Sequence, residues 1–200
     1  MAKQKMEPEM IARLNRLCEL GARPPVIQAM LPTVPEPLLR SQWEIINGEP
    51  AKKGRLPNVP DWYFSTYQIK LQSSFCALIY KKLLSSDLHY IDAYIATYEI
   101  YSQTFEERLL SFDRVWFLGR ILSAKMVKTT VCDKCHSVYI HHADNLINHK
   151  HCPVCHQLAQ KPEAQKLNTQ PIKVSTKKTP DYRPYHAPIL ARNERPFLHA

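Results

Sequence analysis

Apolar residues recur at helical spacing from residue 8 to about residue 125, and proline and glycine cut the pattern into separate pieces. Residues 8–21 carry Ile11, Leu14, Leu17, Cys18 and Leu20 on one stripe, which predicts a helix. Gly21 stops it, because glycine enters the left-handed conformation at a helix end without steric cost. Pro24 and Pro25 open a second helix through Val26, Ile27, Ala29, Met30 and Leu31, since a first turn does not need their missing N–H groups. After the short turn Pro32-Thr33-Val34, Pro35-Glu36-Pro37 starts a third helix. Its apolar positions are Leu38, Leu39, Trp43, Ile45 and Ile46, and Gly48 ends it.

From Asp61 the periods lengthen into three further helices. Asp61 is the expected cap of the first, whose apolar positions include Phe64, Tyr67, Leu71, Phe75, Leu78 and Ile79. Asp87 is the expected cap of the second, which places Tyr90, Tyr94, Tyr98 and Tyr101 on one face. A tyrosine stripe of this kind reads as core edge or as a protein–protein interface. The third helix runs from about Glu106 to Lys125 and is apolar around most of its circumference, Trp116 included. Burial on several sides in so small a body points to a partner subunit. Strand-like runs follow at Lys128–Val131 and Ser137–Ile140.

The expected fold is mainly α. A helix-turn-helix-like three-helix unit occupies residues 1–48 and a basic, proline-rich connection 49–60. The helical body with a partner interface spans 61–127. A small metal-binding segment covers 128–159, and a disordered basic tail 160–200. That tail holds six prolines and eight Lys or Arg, too little apolar surface to offset the entropy of ordering.

In a helix-turn-helix the start of the last helix enters the major groove. Here Leu39, Trp43 and Ile46 would face the core, leaving Glu36, Arg40, Ser41 and Glu44 outward with Gln42 at the edge. Arg40 suits a guanine edge and Arg23 a phosphate at the mouth of the second helix. A plain three-helix packing unit has the same spacing, and two acids on the reading face weigh against DNA. Lys52, Lys53 and Arg55 in the connection read equally as phosphate contacts or as a solvated loop. The net charge of +9 favours a polyanionic partner. No apolar run reaches the roughly eighteen residues of a membrane span, and the first residues lack a signal peptide's pattern. The expected location is the cytoplasm, where thiols stay reduced.

The sharpest chemistry lies in Cys132-Asp-Lys-Cys135, sixteen residues, and Cys152-Pro-Val-Cys155. Each C-x-x-C knuckle turns two thiolates toward one point, and two knuckles complete a tetrahedral zinc site. With four protein ligands the one structural Zn2+ has no open position for water or substrate. Three rivals stand beside this reading. They are disulfides, a mixed site using one of the nearby histidines, and c-type haem, because His136 and His156 make each knuckle C-x-x-C-H. Haem attachment of that kind needs export. Cys18 and Cys76 sit in helical apolar patterns as core cysteines. With no H-x-E or H-E-x-x-H and no glycine-rich phosphate loop, the chain does not read as an enzyme.

Four segments together resemble the larger subunit, of the FlhC type, of the bacterial flagellar master activator. They are Leu20-Gly21-Ala22-Arg23; Gly48-x-Pro50-x-x-Lys53-Gly54-x-Leu56-Pro57-x-x-x-Asp61-Trp62; Arg114-Val115-Trp116-x-Leu118-x-Arg120; and the cysteine quartet with Tyr139-Ile140-x-His142 between its knuckles. The resemblance implies a cytoplasmic, mostly helical transcriptional activator that binds double-stranded DNA upstream of promoters and recruits RNA polymerase. It implies a heteromeric complex with a small helical FlhD-type subunit. It also implies zinc on Cys132, Cys135, Cys152 and Cys155. Tyr90, Tyr94, Tyr98, Tyr101 and Trp116 become candidates for the partner interface. The long tail and the doubled C-x-x-C-H lie outside the pattern. Distant relatives on conjugative elements activate transfer genes, so the genes served are flagellar or conjugative. The alternative reading is a zinc-ribbon adaptor that binds RNA or protein without promoter specificity.

Overall fold

The computed structural model describes residues 7–51, 53–144 and 152–160. These form helices α1 (Pro8–Glu19), α2 (Pro24–Met30) and α3 (Glu36–Asn47), then a 3-10 turn at Pro60–Phe64. Helices α4 (Tyr67–Leu84), α5 (Tyr90–Thr104) and α6 (Phe112–Ser123) follow, then an antiparallel hairpin of β1 (Val127–Val131) and β2 (Val138–His142), and finally α7 (Pro153–Gln160). The fold is mainly helical, as the periodicity predicts. Of the expected tail, Gln160 ends α7 and the rest lies outside the described residues, as does Lys52.

Proline and glycine set the first three helices as anticipated. Each begins with proline in its first turn, and Gly21 and Gly48 follow α1 and α3 at φ +75°. The hairpin register pairs Val127 with His142, Thr129 with Ile140 and Val131 with Val138.

Three expected starts are displaced. Asp61 lies inside the 3-10 turn without capping a helix; the hydroxyl of Thr66 accepts the Ile69 N–H and starts α4 instead. Asp87 takes φ 58° in the preceding turn, and His89 caps α5 through its Nδ1. The segment from Glu106 is not helical, and α6 begins after Ser111. The reason is tertiary. The Gln72 carboxamide oxygen accepts the Tyr101 hydroxyl at 2.5 Å and the Leu109 N–H at 3.0 Å, while its NH2 donates to the Glu107 carbonyl at 2.9 Å. The Tyr101 oxygen in turn accepts the Leu110 N–H. Backbone groups that a longer helix would use internally are committed across to α4 and α5.

The first three helices share one apolar core with the body. Leu14, Leu17, Ile27, Leu39 and Trp43 are buried together with Tyr80, Tyr94, Phe112 and Trp116. Arg13 grips Asp92 through two N–H donors at 2.6 and 3.0 Å, and Arg16 reaches Glu99 at 2.6 Å, fastening α1 to α5. A second core surrounds α4 with Tyr63, Cys76, Tyr101, Leu110, Leu118 and Ile140. Cys18 and Cys76 are fully buried within these cores. Burial pushes the Cys18 thiol up to about 11 and Cys76 higher still, so both are inert packing residues. Among the described residues no helix is long and apolar enough to cross a membrane.

Helices α5 and α6 meet at Gly119, where an added Cβ would collide with the Tyr94 hydroxyl and ring. Tyr94 is itself stacked on Tyr80, with ring centroids 4.4 Å apart, so it has little room to retreat. Gly119→Ala is expected to destabilise the chain by about 1–3 kcal/mol, the range for overpacking a filled core. Thermal denaturation checks this; unchanged stability would mean that the Tyr94 ring swings clear.

Candidate metal centre and neighbouring groove

The two knuckles are built by different local devices that aim at one point. After β1, the Cys132 N–H donates to the Ser137 carbonyl and the His136 N–H to the Cys132 carbonyl, closing a tight turn. His136 sits at φ 58°, a left-handed position that bends the chain so Cys132 and Cys135 converge. The second knuckle is a helix start. Cys152 directly precedes α7, Pro153 opens the helix, and Cys155 follows in its first turn. A helix N-terminus favours thiolate over thiol.

All four sulfurs lie within 4.8 Å of one another, with Cys132 Sγ 3.7 Å from Cys155 Sγ and Cys135 Sγ 3.6 Å from Cys152 Sγ. A tetrahedron of metal–sulfur bonds of about 2.3 Å requires sulfur separations of about 3.8 Å. The donor set and its spacing fit a metal ion. Among the described residues this geometry fits one shared centre better than it fits the rivals. None of the cysteines is in a disulfide. A haem would need each pair of sulfurs at its own ring, whereas here both pairs meet at one centre. No described histidine joins the cluster. His136 shapes the turn, and His156 stacks on Tyr67 with ring centroids 3.3 Å apart. His149 and His151 lie outside the described residues.

Charge in the cluster is frustrated without an ion. Hydrogen bonds from Ser137 pull the Cys135 thiol down to about 6. Its hydrogen bond to Cys135, together with burial, pushes the Cys155 thiol up to about 12, and burial raises Cys152. Four sulfurs this close cannot all ionise unaided, and a bound dication removes the conflict.

The cluster is docked on α4. The Ser74 hydroxyl oxygen accepts the Ile140 N–H from β2 at 3.0 Å and donates to the Lys70 carbonyl. Lys81 Nζ donates to Thr129 Oγ1 of β1 at 2.8 Å. Lys70, 4% exposed, places its ammonium 5.1 Å from the centroid of the Tyr139 ring. Burial pulls the Lys70 ammonium down to about 8, with the negative charge at Cys152 acting the other way. Sequence reasoning missed Tyr67, Lys70 and Ser74 as part of this site, because nothing in a helical period says which neighbour a face will meet.

The basic positions fall into two groups. Arg40 and Ser41 are exposed on α3, where Arg40 pairs with Glu36 one turn back at 2.6 Å. Arg23 does something else. Its backbone N–H and its guanidinium Nε both bond the Asp113 carboxylate, whose side chain is 5% exposed. Its two terminal nitrogens donate to the carbonyls of Gly54 at 3.3 Å and Arg55 at 3.2 Å. Arg23 thereby ties the connection to α6, and the side chains of Lys53 and Arg55 are left exposed. A groove of about 980 Å³ opens beside this tie, with Arg23, Arg55, Pro57, Asp61, Trp62 and Arg114 in its walls. Arg114 lies over the Trp62 ring at 3.9 Å. Segments near residues 23, 54–62 and 114 thus meet at one place.

The tyrosine stripe faces inward. Tyr101 is fully buried, Tyr94 is 4% and Trp116 6% exposed, and Tyr98 packs edge-on against Phe112. Of the five expected interface residues only Tyr90 is exposed, and its hydroxyl donates to the Met30 carbonyl. The regular spacing defines a face correctly; that face is taken by the chain's own helices.

A family model for the flagellar transcriptional activator FlhC matches residues 3–168. The chain is 31% identical over 160 residues to a flagellar transcriptional regulator FlhC from Gallionella capsiferriformans strain ES-2, covering 77% of this chain and 87% of that protein. It is 32% identical over 161 residues to the one from Verminephrobacter eiseniae strain EF01-2, covering 77% and 85%. With the Proteus mirabilis protein of the same name it shares 28% over 165 residues, covering 80% and 84%.

Cys132→Ser should lower metal content and melt the hairpin and α7 together, since ligation and local folding are coupled. Protons compete with the ion for thiolates, so retention should fall as pH drops. Metal analysis after dialysis across pH 5 to 8 checks both; full metal content in the serine variant would refute the ligand set. Arg23→Ala leaves the buried Asp113 without its cation and should destabilise the chain by about 3 kcal/mol, near the lower end for a broken buried pair. Amide exchange in residues 53–56 should accelerate in the same variant, and unaltered protection would break the link between Arg23 and that loop.

Proposed function

The chain belongs to the FlhC family of flagellar transcriptional activators, and from that premise we propose that it is the DNA-binding subunit of a heteromeric activator. The family is one of transcriptional regulators and not of enzymes. The family match across the helices and the cysteine segment carries this reading, and the net charge of +9 supports it. In the cytoplasm the subunit binds double-stranded DNA upstream of promoters and recruits RNA polymerase. Its partner is a small helical FlhD-type subunit, and the genes served are flagellar or, in the mobile-element version, conjugative transfer genes. Zn2+ fits the four cysteines best, because four thiolates with no open position suit a structural zinc.

Two surfaces are suited to the duplex. Arg40 and Ser41 stand exposed at the outer face of α3, and the Arg40–Glu36 pair is a surface contact that gives way at little cost. Lys53 and Arg55 stand on the connection that Arg23 fixes, close enough in sequence to follow one strand of phosphates. Lys52, beside them, belongs to the same proposal. Arg23 acts here as the tie behind the loop, with its charge committed to Asp113.

Binding by the subunit with its partner should fall steeply with salt. Neutralising Lys53 and Arg55 together should lessen the slope of log affinity against log salt by about two. Arg40→Ala should relax base preference at one position; uniform weakening across all sequences would make Arg40 a phosphate contact instead. Chromatin immunoprecipitation in the native host tests the whole reading. Sharp peaks upstream of flagellar or transfer operons are expected. Their absence, with preference for single-stranded RNA in vitro, would favour the zinc-ribbon adaptor.

A further inference from the structure

The four sulfurs of the candidate metal centre are not equivalent. Cys132 and Cys152 are buried, whereas Cys135 and Cys155 are half-exposed. Two short separations cross from one knuckle to the other: Cys132 Sγ to Cys155 Sγ at 3.7 Å, and Cys135 Sγ to Cys152 Sγ at 3.6 Å. Each of these pairs joins an accessible sulfur to a buried one, and joins the hairpin side of the cluster to α7.

Such a pairing suits two-step thiol oxidation. An oxidant reaches the accessible thiol, and the sheltered neighbour resolves the product. Closing either pair to a disulfide bond of about 2.05 Å takes a sulfur approach of only about 1.6 Å. Cys18 and Cys76 offer no such reaction, since each is fully buried and they sit in separate cores.

We propose that the cluster is a modification site for hydroperoxides, which convert it to two disulfides, Cys132 to Cys155 and Cys135 to Cys152. These bonds replace the ion as the staple between the hairpin and α7. The displaced ion rests on the zinc reading given above; the pairing rests on the sulfur positions alone. In the first step the accessible thiolate attacks a peroxide oxygen. An S–O bond forms, the O–O bond breaks and hydroxide leaves, so sulfur is oxidised by two electrons and the peroxide is reduced. The buried thiolate then attacks the sulfenic sulfur, the S–S bond forms, and a second hydroxide leaves as the S–O bond breaks. Two peroxides thus turn four thiolates into two disulfides and four hydroxides. Metal ligation needs thiolates, so the ion is lost. Connectivity decides what happens to the fold. Bonds within each knuckle would leave α7 unfastened from the hairpin. Bonds across the knuckles keep both in place on α4, where Ser74 holds the Ile140 N–H and Tyr67 stacks on His156.

The test uses the purified full-length chain, with zinc and reactive thiols counted first. A chain without zinc overturns the zinc reading, while the pairing is still decided by the mapping that follows. Hydrogen peroxide is added in steps, released zinc is followed with a chromophoric chelator, and disulfides are mapped by mass spectrometry after thiol blocking and trypsin. Lys134 lies between Cys132 and Cys135, so trypsin separates them, and fragmentation between Cys152 and Cys155 assigns each link. Complete zinc loss is expected for two peroxides consumed per chain, with both cross-knuckle links formed and Cys18 and Cys76 unmodified. Amide protection in the hairpin and α7 should stay within a few-fold of the zinc form, whereas chelation without peroxide should abolish it. A dithiol with added zinc should restore the starting state. Links within the knuckles, sulfinic acids in place of disulfides, or zinc and thiols retained in excess peroxide would each overturn the proposal. So would an oxidised chain whose hairpin and α7 exchange as fast as in the chelated one.

Discussion

Helix α4 packs against the 3-10 turn, α5, α6, both strands of the hairpin and α7, and this enclosure is the constraint on which the rest depends. A helix buried on several sides would ordinarily be apolar all round. This one buries Lys70, Gln72, Ser73 and Ser74 in succession. Polar groups at such depth are costly unless they are matched, and among the described residues the Ser73 hydroxyl finds no hydrogen-bond partner while its neighbours are matched. Gln72 takes the backbone between α5 and α6, and Ser74 takes β2. Lys70 lies under Tyr139. Apolar contact brings these neighbours to α4, and the polar pairings fix where along it each one sits.

Magnitudes separate what the metal does from what α4 does. A two-stranded hairpin with five residues per strand is marginal by itself, and a helix of eight residues is well below the length that is stable alone. Ligation of a structural zinc contributes on the order of 10 kcal/mol. A hydrogen bond such as Ser74 to Ile140, or a ring stack such as Tyr67 on His156, contributes about 1 kcal/mol each. On the proposed zinc reading, an ion decides whether the segment is folded, and α4 decides where the folded segment rests.

Legibility in the sequence followed the range of the interaction. Local signals are the legible ones: prolines and glycines bound α1 to α3, and the cysteine spacing points to the four thiols that the fold brings together. Caps were misread where a nearer-looking aspartate, Asp61 or Asp87, lost to Thr66 or His89 a few residues on. Those starts depend on where the previous element releases the chain. Glu106 looked helical because its neighbours are, but Gln72 and Tyr101 claim the backbone there from more than one helix away. The tyrosines show the same limit: period reveals a face without revealing what the face meets. Arg23 is the extreme case. Its partner Asp113 lies ninety residues along, so a residue that looks like a free phosphate ligand is an internal tie.

That tie bears on how such a subunit would read DNA. A loop rich in proline and lysine has no regular hydrogen bonding of its own to fix its shape. Arg23 supplies it from outside, through two carbonyls, while Asp113 holds Arg23 from behind. Neither Lys53 nor Arg55 has to give up its charge to hold the loop in place, so both remain available to phosphates. Ordering the loop beforehand removes entropy that binding would otherwise have to offset. The same tie reaches α6, whose Arg114 lies over Trp62 across the groove. The surface proposed for DNA is thus tied, through Arg23 and Asp113, to the helices that build the core.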